Sequence, residues 1–148
     1  MKIDLLKGRL GHHRFHLMLV HFPSALYPFS LVMDTLCLVT SDSVFGLTGL
    51  YALEGAIGMS VFAIIYGAID FLQIDSNSKV WKVAGLHALL NVSWLMVYST
   101  LLFYRLKHVE FGWIYTLITG LTTVGLVFSN YLGAELIVRY KVGIDNRE

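Results

Sequence analysis

Four apolar stretches run along this chain, separated by short polar breaks. They cover about residues 15–39, 46–72, 80–104 and 111–137. Each is long enough to cross ~30 Å of hydrocarbon at about 1.5 Å per residue of helix. The breaks fall at residues 40–45, at the DSNSK of residues 75–79 and at residues 105–110, and a polar tail of residues 140–148 closes the chain. Turn-forming residues and charges at these places stop one helix and start the next. Short connections make neighbouring spans antiparallel, so the pattern predicts an all-α integral membrane four-helix bundle, a single domain over residues 15–139. Residues 1–14 form a basic N-terminal interfacial segment, expected as an amphipathic helix lying on the membrane. Leu5, Leu6 and Leu10 would face lipid there, with Lys2, Lys7, Arg9 and Arg14 among the headgroups.

Composition supports the membrane reading. Of 148 residues, 56% are hydrophobic and 14% charged, against about 25% charged in soluble domains, and mean hydropathy is +0.66. A net charge of +1 with no basic stripe argues against a nucleic-acid partner. The single cysteine, Cys37, lies in apolar sequence and reads as a packing residue. The first apolar run is interrupted by His16 and His21 and has no small-residue cleavage site behind it, so the chain is read as mature protein rather than as carrying a secretion signal.

That first run also holds Pro23, Pro28 and Asp34. Each proline lacks a backbone donor and must kink or begin a helix. Either Pro23 lies in the first turn and His21 is a capping residue, or the helix starts near His16 and His21 lies inside it; the second gives the longer span. In the second run, glycines at 46, 49, 55, 58 and 67 allow close helix approach. In the third, His87 and Asn91 share a face that Trp94 and Tyr98 continue.

Basic residues set the expected orientation. Nine of the 11 lysines and arginines fall on the side holding both termini and the 72–80 loop; only Arg105 and Lys107 fall on the other. The bias places both termini in the cytoplasm. On that side, His16 and His21 open the first span, Asp70 closes the second, His87 and Asn91 open the third, and Asn130 and Glu135 close the fourth. A second, smaller layer, Asp34 and Glu54, lies toward the opposite face.

Ionisable groups inside a membrane segment point to function. Histidines at equal depth on two spans running the same way, His21 and His87, could ligate one b-type haem iron from both faces. Asn91, Asp70 or Glu135 would orient the rings, and Trp94 and Tyr98 would wall the porphyrin. The same layer could instead hold a non-haem metal ion, with His16, Asp70 and Glu135 as further ligands, or relay protons or ions without metal. The residues could also simply hydrogen-bond helix to helix, with Glu135 and Arg139 an interfacial ion pair. His12, His13 and His16 could form a metal site near the surface or be solvated interface histidines. There is no haem-attachment motif, nucleophile–base pair or phosphate-binding loop, so the residues suggest no enzyme beyond an electron-transfer subunit.

The ordered set of motifs H-x4-HFP at His16–Pro23 with Asp34 behind it, GAID ending at Asp70, HALLN from His87 to Asn91, and LGAELIVRYKVGI resembles the bacterial four-helix membrane proteins filed as domain of unknown function 2231. The likeness extends over about residues 14–144. It differs at His16-Leu17, where members carry His-Pro, and at Gly133-Ala134-Glu135, where they carry Gly-Gly-Glu. The resemblance implies a multi-pass protein of the bacterial inner membrane in which His21, Asp70, His87 and Glu135 matter, and it supplies no activity. A single haem near one face would require a redox partner protein or quinone, and the chain could also serve as an oligomer or as a structural or assembly subunit of a complex.

Overall fold

The computed structural model describes residues 3–4, 8–10, 13–108 and 110–142. Three two-residue strands, β1 (Ile3–Asp4), β2 (Arg9–Leu10) and β3 (His13–Arg14), pair antiparallel in chain order. They precede α1 (Phe15–Leu19), α2 (His21–Thr40), α3 (Ser43–Phe71), α4 (Lys79–Lys107) and α5 (Trp113–Val138). The expected surface helix is thus replaced, where the segment is described, by a small meander. Gly8 explains the change: it adopts φ +63°, a left-handed conformation that breaks a helix. Its carbonyl accepts from Phe15 N at 2.8 Å, and it packs on Tyr66, leaving only 3.3 Å between that ring and any added Cβ.

The four apolar spans are 26 to 29 residues long, enough to cross a bilayer. The first is built from α1 and α2. Pro23 offers no donor to the preceding turn, so the helix hesitates at Val20, whose carbonyl accepts both the backbone N and the Oγ of Ser24. Both readings of this region hold in part: helix begins at Phe15, yet His21 opens the second segment with Pro23 in its first turn. Helix α3 starts a few residues early because Asp42 caps it, accepting from Val44 N at 2.9 Å. Ser78 caps α4 through Trp81 N at 3.1 Å.

In cross-section the spans form a closed ring in sequence order, with α2 against α3, α3 against α4, α4 against α5 and α5 back against α2. Large apolar side chains such as Phe29, Val61, Phe103 and Val124 point outward, as hydrocarbon surroundings permit. The centre is closed by Tyr27 and Tyr98, which stack across the ring at 3.7 Å between centroids, together with Leu53, Ala56, Leu101, Tyr115 and Leu126.

One charged pair is built into this interior. Asp34 is wholly buried and receives Arg105 Nη1 at 2.6 Å, while Arg105 Nη2 donates to Gly46 O at 2.8 Å. The guanidinium also lies 3.7 Å from the centre of the Phe111 ring. Residue 49 must be glycine for this, since a Cβ there would collide with the Asp34 carboxylate. The polar break at residues 105–110 predicts a loop position for Arg105. That residue belongs instead to α4, which runs on to Lys107, because the partner carboxylate draws that turn inward.

Candidate functional site

At the end of the bundle where α1 begins, the spans part around a cavity of about 270 Å³. Leu17, Ala63, Ala84, Leu126 and similar side chains supply most of its wall, and Tyr27 and Trp94 face it from deeper in the bundle. Apolar walls with a few converging polar groups are the usual character of a ligand site. Here those groups are His16, His87, Asn91, Ser24, Asn130 and the pair Arg14–Asp70.

The two histidines are held in the same way. His16 Nδ1 lies 2.8 Å from Ala63 O on α3, and His87 Nδ1 lies 2.8 Å from Ser129 O on α5. A carbonyl oxygen can only accept, so each Nδ1 carries the proton and each Nε2 keeps a lone pair. Each ring also rests on a glycine one turn further along the same neighbouring helix. A Cβ at Gly67 would come within 2.9 Å of His16 Nδ1, and one at Gly133 within 2.8 Å of His87 Cε1. The ring planes stand at 81° to each other, with centroids 6.5 Å apart. Tethering one ring nitrogen to a carbonyl while freeing the other is how proteins orient metal-binding imidazoles.

Asn91 braces His87. Its Nδ2 donates to His87 O at 2.8 Å and to Ser129 Oγ at 2.7 Å, and lies 3.3 Å from both ring nitrogens. On the other side Asn130 Nδ2 donates to Ser24 Oγ at 3.1 Å, tying α5 to α2. Asp70 does not reach the histidines; it accepts from Arg14 Nη1 at 2.6 Å. The Trp94 indole rests on Gly125, and its Nε1–H is buried with no acceptor among the described residues.

Other expected site residues lie elsewhere. His21 is exposed on the outside of the bundle and does not line the cavity; the histidine that meets His87 is His16. Glu135 is paired with Arg139 at 3.4 Å on the periphery, as an interfacial i, i+4 bridge. Asp34 and Glu54 do not form a layer together: Asp34 is buried against Arg105, and Glu54 is exposed on α3. His12 lies outside the described residues, and the side chain of His13 is not described. Among the described residues no group of three or more His, Cys, Asp or Glu side chains is gathered as for a metal ion.

These contacts repeat. Asp34 and Arg105 are 71 residues apart, and so are Tyr27 and Tyr98, and His16 and His87. Each pair meets across the centre of the bundle. Gly67 and Gly133 are likewise matched, as are Ala63 and Ser129, at one common offset. The first two spans and the last two are therefore structural repeats about an axis along the bundle. The cavity lies on that axis and takes one imidazole from each half.

The family model described as "Predicted membrane protein (DUF2231)" matches residues 12–146. The chain belongs to that family. No curated protein and no solved structure matches it.

Proposed function

We propose that this multi-pass member of the DUF2231 family holds a b-type haem in the cavity, with His16 and His87 as axial ligands, and acts as an electron-transfer subunit. The observation that carries the reading is the pair of imidazoles, each tethered at Nδ1, on opposite walls of one cavity at a ring separation of 6.5 Å. With metal–imidazole bonds of about 2.0 Å, that separation would leave room for one metal centre between the rings. An iron already held by a porphyrin would need only two ligands from the protein, and His16 and His87 would supply them. A bare transition-metal ion, the competing occupant, asks for three or four. The apolar wall suits a porphyrin, and the Trp94 Nε1–H offers a donor to a polar substituent.

On this reading the protein lies in a bacterial inner membrane with both termini in the cytoplasm, as the lysine and arginine distribution favours. With a haem held near one face, the protein would need a redox partner protein or a quinone to pass electrons on.

The test is the visible spectrum of the detergent-purified chain, oxidised and then reduced, after expression with added haem. A sharp Soret band with resolved bands on reduction is expected, and it should be lost in His16→Ala and in His87→Ala but kept in His21→Ala. A colourless wild-type protein, or pigment kept in both His16→Ala and His87→Ala, overturns the reading. Metal analysis of a colourless protein then separates a non-haem ion from a metal-free proton or ion pathway.

A further inference from the structure

Helix α3 carries a carboxyl group where a membrane protein has no reason to leave one bare. Glu54 is exposed on the outer face of the bundle, 11 residues inside the helix that starts at Ser43. At 1.5 Å per residue this is about 16 Å below the end of a helix about 43 Å long, about 5 Å from its midpoint and so well inside a ~30 Å hydrocarbon layer. The neighbouring Gly55 backbone approaches Leu26, next to the central Tyr27–Tyr98 stack, which gives the same depth. Around Glu54 the outer face is apolar apart from the Tyr51 hydroxyl: Leu47, Tyr51, Val61, Phe62 and Ile65 are all exposed. One turn further along the helix, Gly58 is open, with nothing within 4 Å of where a Cβ would stand. No described side chain of the same chain bonds to Glu54.

We propose that this face of α3 is the contact between two copies of the chain, with Glu54 meeting Glu54 across a two-fold axis. A carboxyl in hydrocarbon is costly unless another polar group satisfies it. Two copies inserted in the same sense bring their α3 helices together in parallel, so equal residues meet at equal depth. Carboxyl groups are self-complementary: a facing pair can form a hydrogen-bonded acid dimer in which each gives one bond and accepts one. The open backbone at Gly58 lets the two helices approach closely enough for this. At this depth a second copy offers Glu54, with the Tyr51 hydroxyl one turn away as a further donor on the same face. His21, an exposed histidine near the start of the first span, belongs with the end of the bundle that holds the cavity. The proposal does not depend on any cofactor.

The experiment is energy transfer between donor- and acceptor-labelled full-length chains in lipid vesicles, followed as the lipid-to-protein ratio rises. The wild type should associate, and Glu54→Leu should weaken association about tenfold, the combined size of the two reciprocal interhelical hydrogen bonds. Glu54→Gln should retain it, because paired amides bond in the same way. In a Cys37→Ser background, Gly58→Cys should give an oxidised dimer that Glu54→Leu suppresses. Because Glu54 and Gly58 are exposed on the outer face, these changes should leave the fold intact, which circular dichroism of each variant checks. A wild type that stays dispersed at every ratio overturns the proposal. So does association that Glu54→Leu leaves unchanged, or association only with an added membrane polypeptide carrying a cation at that depth.

Discussion

Removing the guanidinium of Arg105 should be among the most destabilising single changes in the bundle, and its cost should largely vanish when Asp34 is removed as well. Asp34 is wholly buried, its Oδ1 accepts from Arg105 at 2.6 Å, and its Oδ2 already has no partner among the described residues. In Arg105→Met the carboxylate loses its only hydrogen bond, Gly46 O loses its side-chain donor, and the stack on Phe111 loses its charge. Breaking a buried pair from one side costs about 3–5 kcal/mol, whereas ordinary polar contacts between membrane helices average about 0.6. The lower end, about 3 kcal/mol, applies, because Arg105 lies two residues from the end of α4, where water is near. Asp34→Leu should cost about as much, by stranding the guanidinium. In the double variant two apolar groups replace two charges, and the loss should fall to about 1 kcal/mol. The assay is reversible unfolding in mixed micelles, read as a double-mutant cycle. Additive losses, or a single-variant loss below about 1 kcal/mol, would refute the view that the charges, rather than the packing around them, hold this end together.

The glycines beneath the histidines give a second test: Gly67→Ala and Gly133→Ala should each cost about 1–3 kcal/mol, since the new Cβ would lie 2.9 Å or less from a ring atom. Thermal unfolding in detergent checks this, and equal stability would mean that the rings rotate freely away. Tyr27→Phe keeps the stack on Tyr98 but loses the 3.0 Å bond to Ser60, for about 1 kcal/mol. Tyr27→Ala should cost about 3–5 kcal/mol by the same measurement, so near-equal losses would put the weight on the hydroxyl rather than the ring.

Span positions were legible in the sequence to within about three residues, because hydrocarbon thickness fixes the length of any crossing helix. The gathering of polar residues at one end was legible too, since antiparallel spans bring alternate ends together. The choice of histidine was not. His16 and His21 are five residues apart, about 140° around a helix, so at most one can face the centre, and composition gives no phase. The hesitation at Val20 sets that phase by directing His16 toward Ala63 and His21 outward. Arg105 was missed for a related reason: a cation followed by further polar residues reads as a loop until its buried partner is known. One signal was available. His16, Tyr27 and Asp34 have the same spacing as His87, Tyr98 and Arg105, and comparing the two halves would have selected His16.

The repeat also gives a physical reason for where the halves differ. In a true two-fold dimer every residue on the axis meets its own copy. Tyrosine tolerates this by stacking, and histidine tolerates it where each ring is tethered to its own carbonyl. Two buried arginines, or two buried aspartates that keep their charge, would repel each other in a medium too poor in water to screen them. At that third position the chain carries Asp34 in one half and Arg105 in the other, which turns an obligatory repulsion into a 2.6 Å ion pair. Only a single chain containing both halves can make that exchange, and it fixes which hairpin faces which. The second departure follows the same logic from outside. By the offset that matches Gly67 to Gly133, Glu54 on α3 corresponds to Gly120 on α5. The carboxyl therefore marks one outer face of an otherwise two-fold bundle, so that two copies have a single face by which to pair rather than two equivalent ones that would propagate into an open chain.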